Sequence, residues 1–159
     1  DPEDLNDHFA APISALSFNE NAVSFRVAPS DRAGSRPEVH TIPESAGLDV
    51  DNLAITSPRG TRPHLSILRE YPLDPIRIEG GIVLGARDAW RQMTVPSPPH
   101  FAASVFRNVL LKRGIRILGN IRVVESPDKS VLTGITSPTH HERSRVRILA
   151  KHTSPPLSE

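Results

Sequence analysis

SPPHFAASVFRNVLLKRGIRILGNIRVV, residues 97–124, reads as an amphipathic helix, a glycine stop and a strand. Ser97 suits an N-cap, and Pro98 suits the first helical position, where no backbone N–H is needed. Phe101, Val105 and Val109 recur at i, i+4 and i+8, with Ala102, Phe106 and Leu110 as the adjoining row. Together they make a stripe wide enough to face a core. Ser104, Arg107, Asn108 and Lys112 fall on the other face, and Leu111 strays from the stripe. Lys112 and Arg113 lie where the helix dipole favours cations, and Gly114 can supply the left-handed residue that ends a helix. Beyond it, Ile115, Ile117, Ile121 and Val123 alternate with Arg116, Leu118, Asn120 and Arg122, which is the period of a half-buried strand. Gly119 marks a bulge or a close backbone approach.

Working outward, most of the remaining chain has the pattern of short strands. Residues 13–28 read as a β-hairpin, with Leu16 and Phe18 before Asn19-Glu20-Asn21 and Val23, Phe25 and Val27 after it. Asparagine tolerates the positive φ that tight turns require. Val39–Ile42, Leu53–Thr56 and Leu65–Tyr71 are further strand candidates, separated by turns such as Ser57-Pro58-Arg59-Gly60. Residues 76–84, IRIEGGIVL, read as one strand, and Trp90–Val95 as the strand entering the helix. Val131–Ile135 and Val146–Ala150 complete the set. The fold class is therefore α+β: β-rich, with short, mostly antiparallel strands and one principal helix at about 98–113 packed on a sheet. The expected division is a β-rich part over 1–92 and a helix-plus-sheet part over 93–159.

Composition narrows the function. Proline is 16 of 159 residues, well above the usual share of about 5%, which favours turns and short strands over long helices. The net charge of +1 makes no overall field for nucleic acid or an anionic membrane. No run of 18 apolar residues occurs, so no membrane-spanning helix is expected. The chain has no cysteine, which excludes disulfides, thiolate metal sites and a cysteine nucleophile. It starts at Asp1, has its single methionine at Met93 and shows no signal peptide, so it reads as a processed or excised piece.

Candidate sites are few. His140-His141-Glu142 invites a metal reading, but adjacent side chains diverge on a helix or a strand, and the zinc helix motif needs histidines at i and i+4. The surrounding SPTHHERSR reads as an exposed turn. No Gly-x-Ser-x-Gly elbow and no Lys-Thr-Gly string occurs, no Ser-x-x-Lys nucleophile motif is expected, and Gly80-Gly81 sits in a strand pattern rather than a phosphate cradle. Arg143, Arg145, Arg147 and Lys151 form a basic stripe. It reads either as the wet side of a strand or sheet edge or as a contact for an anionic ligand, such as a cell-wall polymer or nucleic acid. No catalytic, cofactor-binding or metal-ligating residue is assigned.

Three segments in order carry a resemblance: Ala11-Pro12-Ile13-Ser14-Ala15-Leu16-Ser17-Phe18-Asn19-Glu20-Asn21, the run Phe101 to Gly119, and Ser154-Pro155-Pro156-Leu157. In order and spacing the chain resembles the class C low-molecular-mass penicillin-binding proteins, which are D-alanyl-D-alanine carboxypeptidases and endopeptidases. The resemblance implies an internal fragment of a serine acyl-transfer enzyme. It places the family's nucleophilic Ser-x-x-Lys motif before Asp1 and its Ser-x-Asn motif after Glu159. Ser154–Leu157 would then lead the chain back toward the catalytic domain. The implied partner is that catalytic domain of the same parent chain, acting in peptidoglycan maturation in a periplasmic or extracytoplasmic setting. The alternative is an independent module binding the wall or a protein through the basic stripe.

Overall fold

The computed structural model describes residues 12–44, 47–70 and 75–126. Eight strands and one helix follow in chain order: β1 (Ala22–Ala28), β2 (Glu38–Ile42), β3 (Val50–Asn52), β4 (Ile55–Ser57), β5 (Ser66–Leu68), β6 (Ile76–Glu79), β7 (Gly81–Val83), β8 (Ala89–Thr94) and α1 (Pro98–Lys112). This is the α+β, β-rich architecture that the sequence pattern implies. The residues through Arg122 form one unit, and those from Val123 onward belong to another.

β1 is the spine. It pairs antiparallel with β2 on one side and with β8 on the other. Its alternation sends Val23, Phe25 and Val27 into the core, all fully buried, and leaves Ser24, Arg26 and Ala28 on the opposite face. The core is completed by Ala54, Ile76, Ile78, Met93, Val95, Phe101 and Val105.

The expected hairpin over 13–28 does not form. Asn19, Glu20 and Asn21 do take positive φ, between 51° and 56°, as a turn requires. Asn19 Nδ2 donates to the Ala22 carbonyl at 2.8 Å, and Asn21 Nδ2 donates to the Pro12 carbonyl at 2.9 Å. But both edges of β1 are occupied by β2 and β8, so residues 13–18 have no ladder to join. Phe18 instead sets its ring 6.0 Å from that of Phe101, clasping α1.

The run 76–84 is two strands, not one. Gly80 has φ +90°, and a Cβ there would collide with the His64 carbonyl oxygen, so the chain kinks where only glycine fits. β3 runs parallel to β6 and β4 parallel to β7, and Leu53 N and Ile55 N bond to the Ile78 and Gly80 carbonyls across the kink. β5 pairs antiparallel with β6. Three pairings are thus antiparallel and two parallel.

α1 ends as its sequence requires. Gly114 has φ +79°, its N–H bonds to the Leu111 carbonyl at 2.9 Å, and the Ile115 N–H bonds to the Leu110 carbonyl at 3.0 Å. These are the two bonds of a Schellman stop. Ser97 holds the N-cap position without a side-chain bond, and prolines fill the first two helical positions.

The buried face of α1 is rotated from the expected stripe. Pro98, Phe101, Ser104 and Val105 are buried, whereas Phe106 is 63% and Val109 44% exposed. The cause is the segment at Gly47. A Cβ there would lie 2.7 Å from Ser104 Oγ, so the backbone closes on the small serine. The strand expected over 115–124 is also absent. Residues 115–125 pair with no strand among the described residues, and Leu118 is 85% exposed. A strand needs a partner for its N–H and C=O groups, and alternation alone does not supply one. The strands expected at Val131–Ile135 and Val146–Ala150 lie outside the described residues.

Candidate functional site

A groove of about 460 Å³ opens between β2 and β3, the outer strands of their sheets. Val39, His40, Thr41, Glu44, Val50 and Asn52 line it. Asn52 Nδ2 donates to the Pro37 carbonyl at 3.0 Å, and the Arg36 guanidinium donates to the Asn52 carbonyl, which ties β3 to the approach of β2. Glu44 is hydrogen-bonded to Lys112 from the end of α1. That bond, reinforced by the ammonium charge, holds the Glu44 carboxyl below the usual carboxylate range. His40 Nε2 is 3.5 Å from Glu38, and both are exposed. The groove thus offers one carboxylate already neutralised by a cation, one imidazole, one amide and the Thr41 hydroxyl. These groups can hydrogen-bond a polar ligand, and among the described residues no base is bonded to the Thr41 hydroxyl.

Hydroxyl and imidazole groups approach each other at one other place. Ser57 and His64 both pack over Gly81. A Cβ there would fall against Ser57 Oγ and 3.2 Å from His64 Cε1. Ser57 Oγ and His64 make no hydrogen bond to each other. Acyl transfer needs a nucleophile, a base and an oxyanion site within hydrogen-bond reach, and this pair lacks the first link. Arg69 is buried, and its guanidinium donates to the Thr94 carbonyl at 3.2 Å. Burial lowers its pKa.

Two short strings match the spacing of serine-peptidase motifs. Ser17-Phe18-Asn19 is a Ser-x-Asn string, but its side chains serve the turn into β1: the Ser17 hydroxyl donates to the Ser14 carbonyl at 3.0 Å. Ser126-Pro127-Asp128-Lys129 is a Ser-x-x-Lys string, which corrects the expectation that the chain holds none. In that motif the lysine stands about one helical turn from the serine. Ser126 lies in a bend, and residues 127–129 are outside the described set. The His140-His141-Glu142 and Arg143–Lys151 candidates also lie outside it. Among the described residues no three histidine, aspartate or glutamate side chains gather as metal ligands, and no helix is long and apolar enough to cross a membrane.

Comparison with known proteins bears on what this arrangement belongs to. A profile described as the D-Ala-D-Ala carboxypeptidase 3 (S13) family matches residues 1–159. No curated protein matches the chain significantly. Among solved structures, penicillin-binding protein 4 (dacB) from Haemophilus influenzae in complex with a β-lactam superposes with a TM-score of 0.52 at 14% identity, over 74% of this chain and 27% of that one. A second structure of the same protein superposes with a TM-score of 0.52 at 16% identity, over 73% of this chain and 26% of that one. At these identities the likeness is one of fold. The chain spans about a quarter of the length of those structures.

Proposed function

We propose, since this chain belongs to the D-Ala-D-Ala carboxypeptidase 3 (S13) family, that it is a non-catalytic insertion region of a serine-type D-Ala-D-Ala carboxypeptidase or endopeptidase. Such a parent would hydrolyse the terminal D-Ala-D-Ala bond or the D-Ala cross-link of peptidoglycan peptides. The observation that carries the reading is the whole-length family match of a chain whose described residues hold no assembled acyl-transfer centre. Its fold also corresponds to only about a quarter of its structural neighbour. Residues 1–92 would form the β-rich part of the insertion. Residues 93–159 would lead back to the catalytic domain of the same parent, which is the implied partner. The implied setting is periplasmic or extracytoplasmic.

The test is a paired assay of D-alanine release from a D-Ala-D-Ala-terminated peptide. A longer gene product that extends this chain on both sides should release D-alanine, and the 159-residue chain should release none. Release by the short chain, or none by the longer product, would sink the reading.

A further inference from the structure

Parallel pairing has a geometric consequence at one end of the molecule. Because β4 and β7 run in the same direction, Ser57 opposite Val83, both strands discharge their following turns at the same end. The turn after β4 carries Arg59 and Arg62, and the turn after β7 carries Arg87. They are tied together: Leu84 N bonds to the Ser57 carbonyl at 2.8 Å, and the Arg59 guanidinium lies over Gly85, its Nη2 3.3 Å from where a Cβ would stand. A third segment joins them. Gly34 N bonds to the Thr56 carbonyl at 2.8 Å, Thr56 N to the Ser35 carbonyl at 2.7 Å, and Ser30 N to Thr56 Oγ1 at 2.9 Å, which fastens the loop bearing Arg32 to the end of β4.

Arg32, Arg59, Arg62 and Arg87 are all exposed, and none enters an ion pair among the described residues. The acidic side chains of these turns are Asp31 and Asp88. Asp88 is already held by Arg26 at 2.5 Å, while Asp31 is exposed beside Arg32 in sequence. Local positive charge is therefore concentrated on a molecule whose net charge is only +1. Unpaired guanidinium groups present forks that match carboxylate and phosphate oxygens. None of the large exposed apolar side chains lies in these three turns, so nothing there would insert into a lipid surface. They also hold no Phe, Tyr or Trp on which a nucleobase could stack.

We propose that this turn end of the β4–β7 pair is a docking surface for the carboxylate-bearing peptides of peptidoglycan, outside any catalytic centre. The identity of the polymer rests on the parent's proposed role at the wall; the anionic character of the ligand rests on the arginines alone. Binding at such a surface is electrostatic and falls as salt screens it.

The test is cosedimentation of the 159-residue chain with insoluble peptidoglycan at ionic strengths of about 0.01 M and 0.15 M. Retention at low salt and weaker retention at high salt are expected, with R59Q/R62Q/R87Q falling to background and R59K/R62K/R87K keeping most of the binding. All three side chains are exposed, so the variants should melt with the wild type, which separates lost binding from lost folding. Any of three results would overturn the surface: no wild-type retention at low salt, full retention of the glutamine variant, or loss on R145E/R147E in its place. Capture by phosphatidylglycerol vesicles with no capture by peptidoglycan would overturn the wall assignment. The proposed function is read separately, by acylation of the longer gene product with a labelled β-lactam. The glutamine substitutions should leave that reaction unchanged, and its absence in the unsubstituted product would sink the catalytic parentage whatever the sedimentation result.

Discussion

β1 and the stretch from α1 to Val124 carry equally regular apolar patterns, yet only one of them is fully buried. In β1, Val23, Phe25 and Val27 are sealed, and both strand edges are paired. In α1, Phe101 and Val105 are buried, while Phe106 and Val109 from the same expected stripe face solvent. Beyond the helix, Ile115, Leu118, Val123 and Val124 are exposed as well. A periodic pattern states which residues share a face. It does not state that the partner for that face lies within reach. β1 finds β2 and β8, and the outer rows of 106–124 find no strand or helix among the described residues.

The largest test of this contrast is a pair of truncations. Phe25→Ala should cost about 3–5 kcal/mol in urea unfolding, because it removes a fully buried ring and leaves a cavity. Phe106→Ala, on a ring mostly in water, should stay within about 0.5 kcal/mol. Equal costs would mean that Phe106 has a buried partner after all, and the contrast would fail.

Gly80→Ala comes next. Its φ of +90° and the clash with His64 predict a loss of about 2 kcal/mol or more, measured the same way. A neutral result would mean that the β6–β7 kink is not where the chain requires it.

Ser104→Ala is a smaller and opposite effect. Ser104 Oγ is buried without a hydrogen-bond partner, so its removal should be neutral or stabilising by up to about 1 kcal/mol. A clear destabilisation would show that the rotated face of α1 depends on that hydroxyl.

The smallest effect concerns Glu44. Its carboxyl is held below its ordinary value first by the hydrogen bond from Lys112 and then by that ammonium's charge. A depressed folded-state pKa contributes stability above the unfolded pKa and loses it as pH falls through the folded pKa. The pair is exposed, so the sensitive readout is the side-chain NMR titration rather than unfolding. Lys112→Met should move the Glu44 midpoint upward; an unmoved midpoint would remove the pair from the account.

Much of this was legible beforehand, for local reasons. Gly114 after Lys112-Arg113 announced the helix stop, and Asn19-Glu20-Asn21 announced a left-handed turn; both are decided by residues a few positions apart. The core face of β1 followed from its own alternation. What could not be read depended on distant partners. Residues 13–18 lost their hairpin because β2 and β8 claim β1. Ser104 is buried because Gly47 closes on it from elsewhere in the chain. The kink at Gly80 was hidden because Gly80-Gly81 sits within an unbroken apolar rhythm, and the arginine cluster because it depends on the parallel register of β4 with β7. The Ser126–Lys129 string shows how readily a four-residue motif arises in a sequence.

The most direct measurement for the central claim is the intact mass of the 159-residue chain after incubation with excess β-lactam. The account predicts an unchanged mass, because on the proposed reading the acyl-accepting serine would belong to other parts of the parent. A stoichiometric covalent adduct on any serine of this chain, with Ser126 the first to be checked, would contradict it.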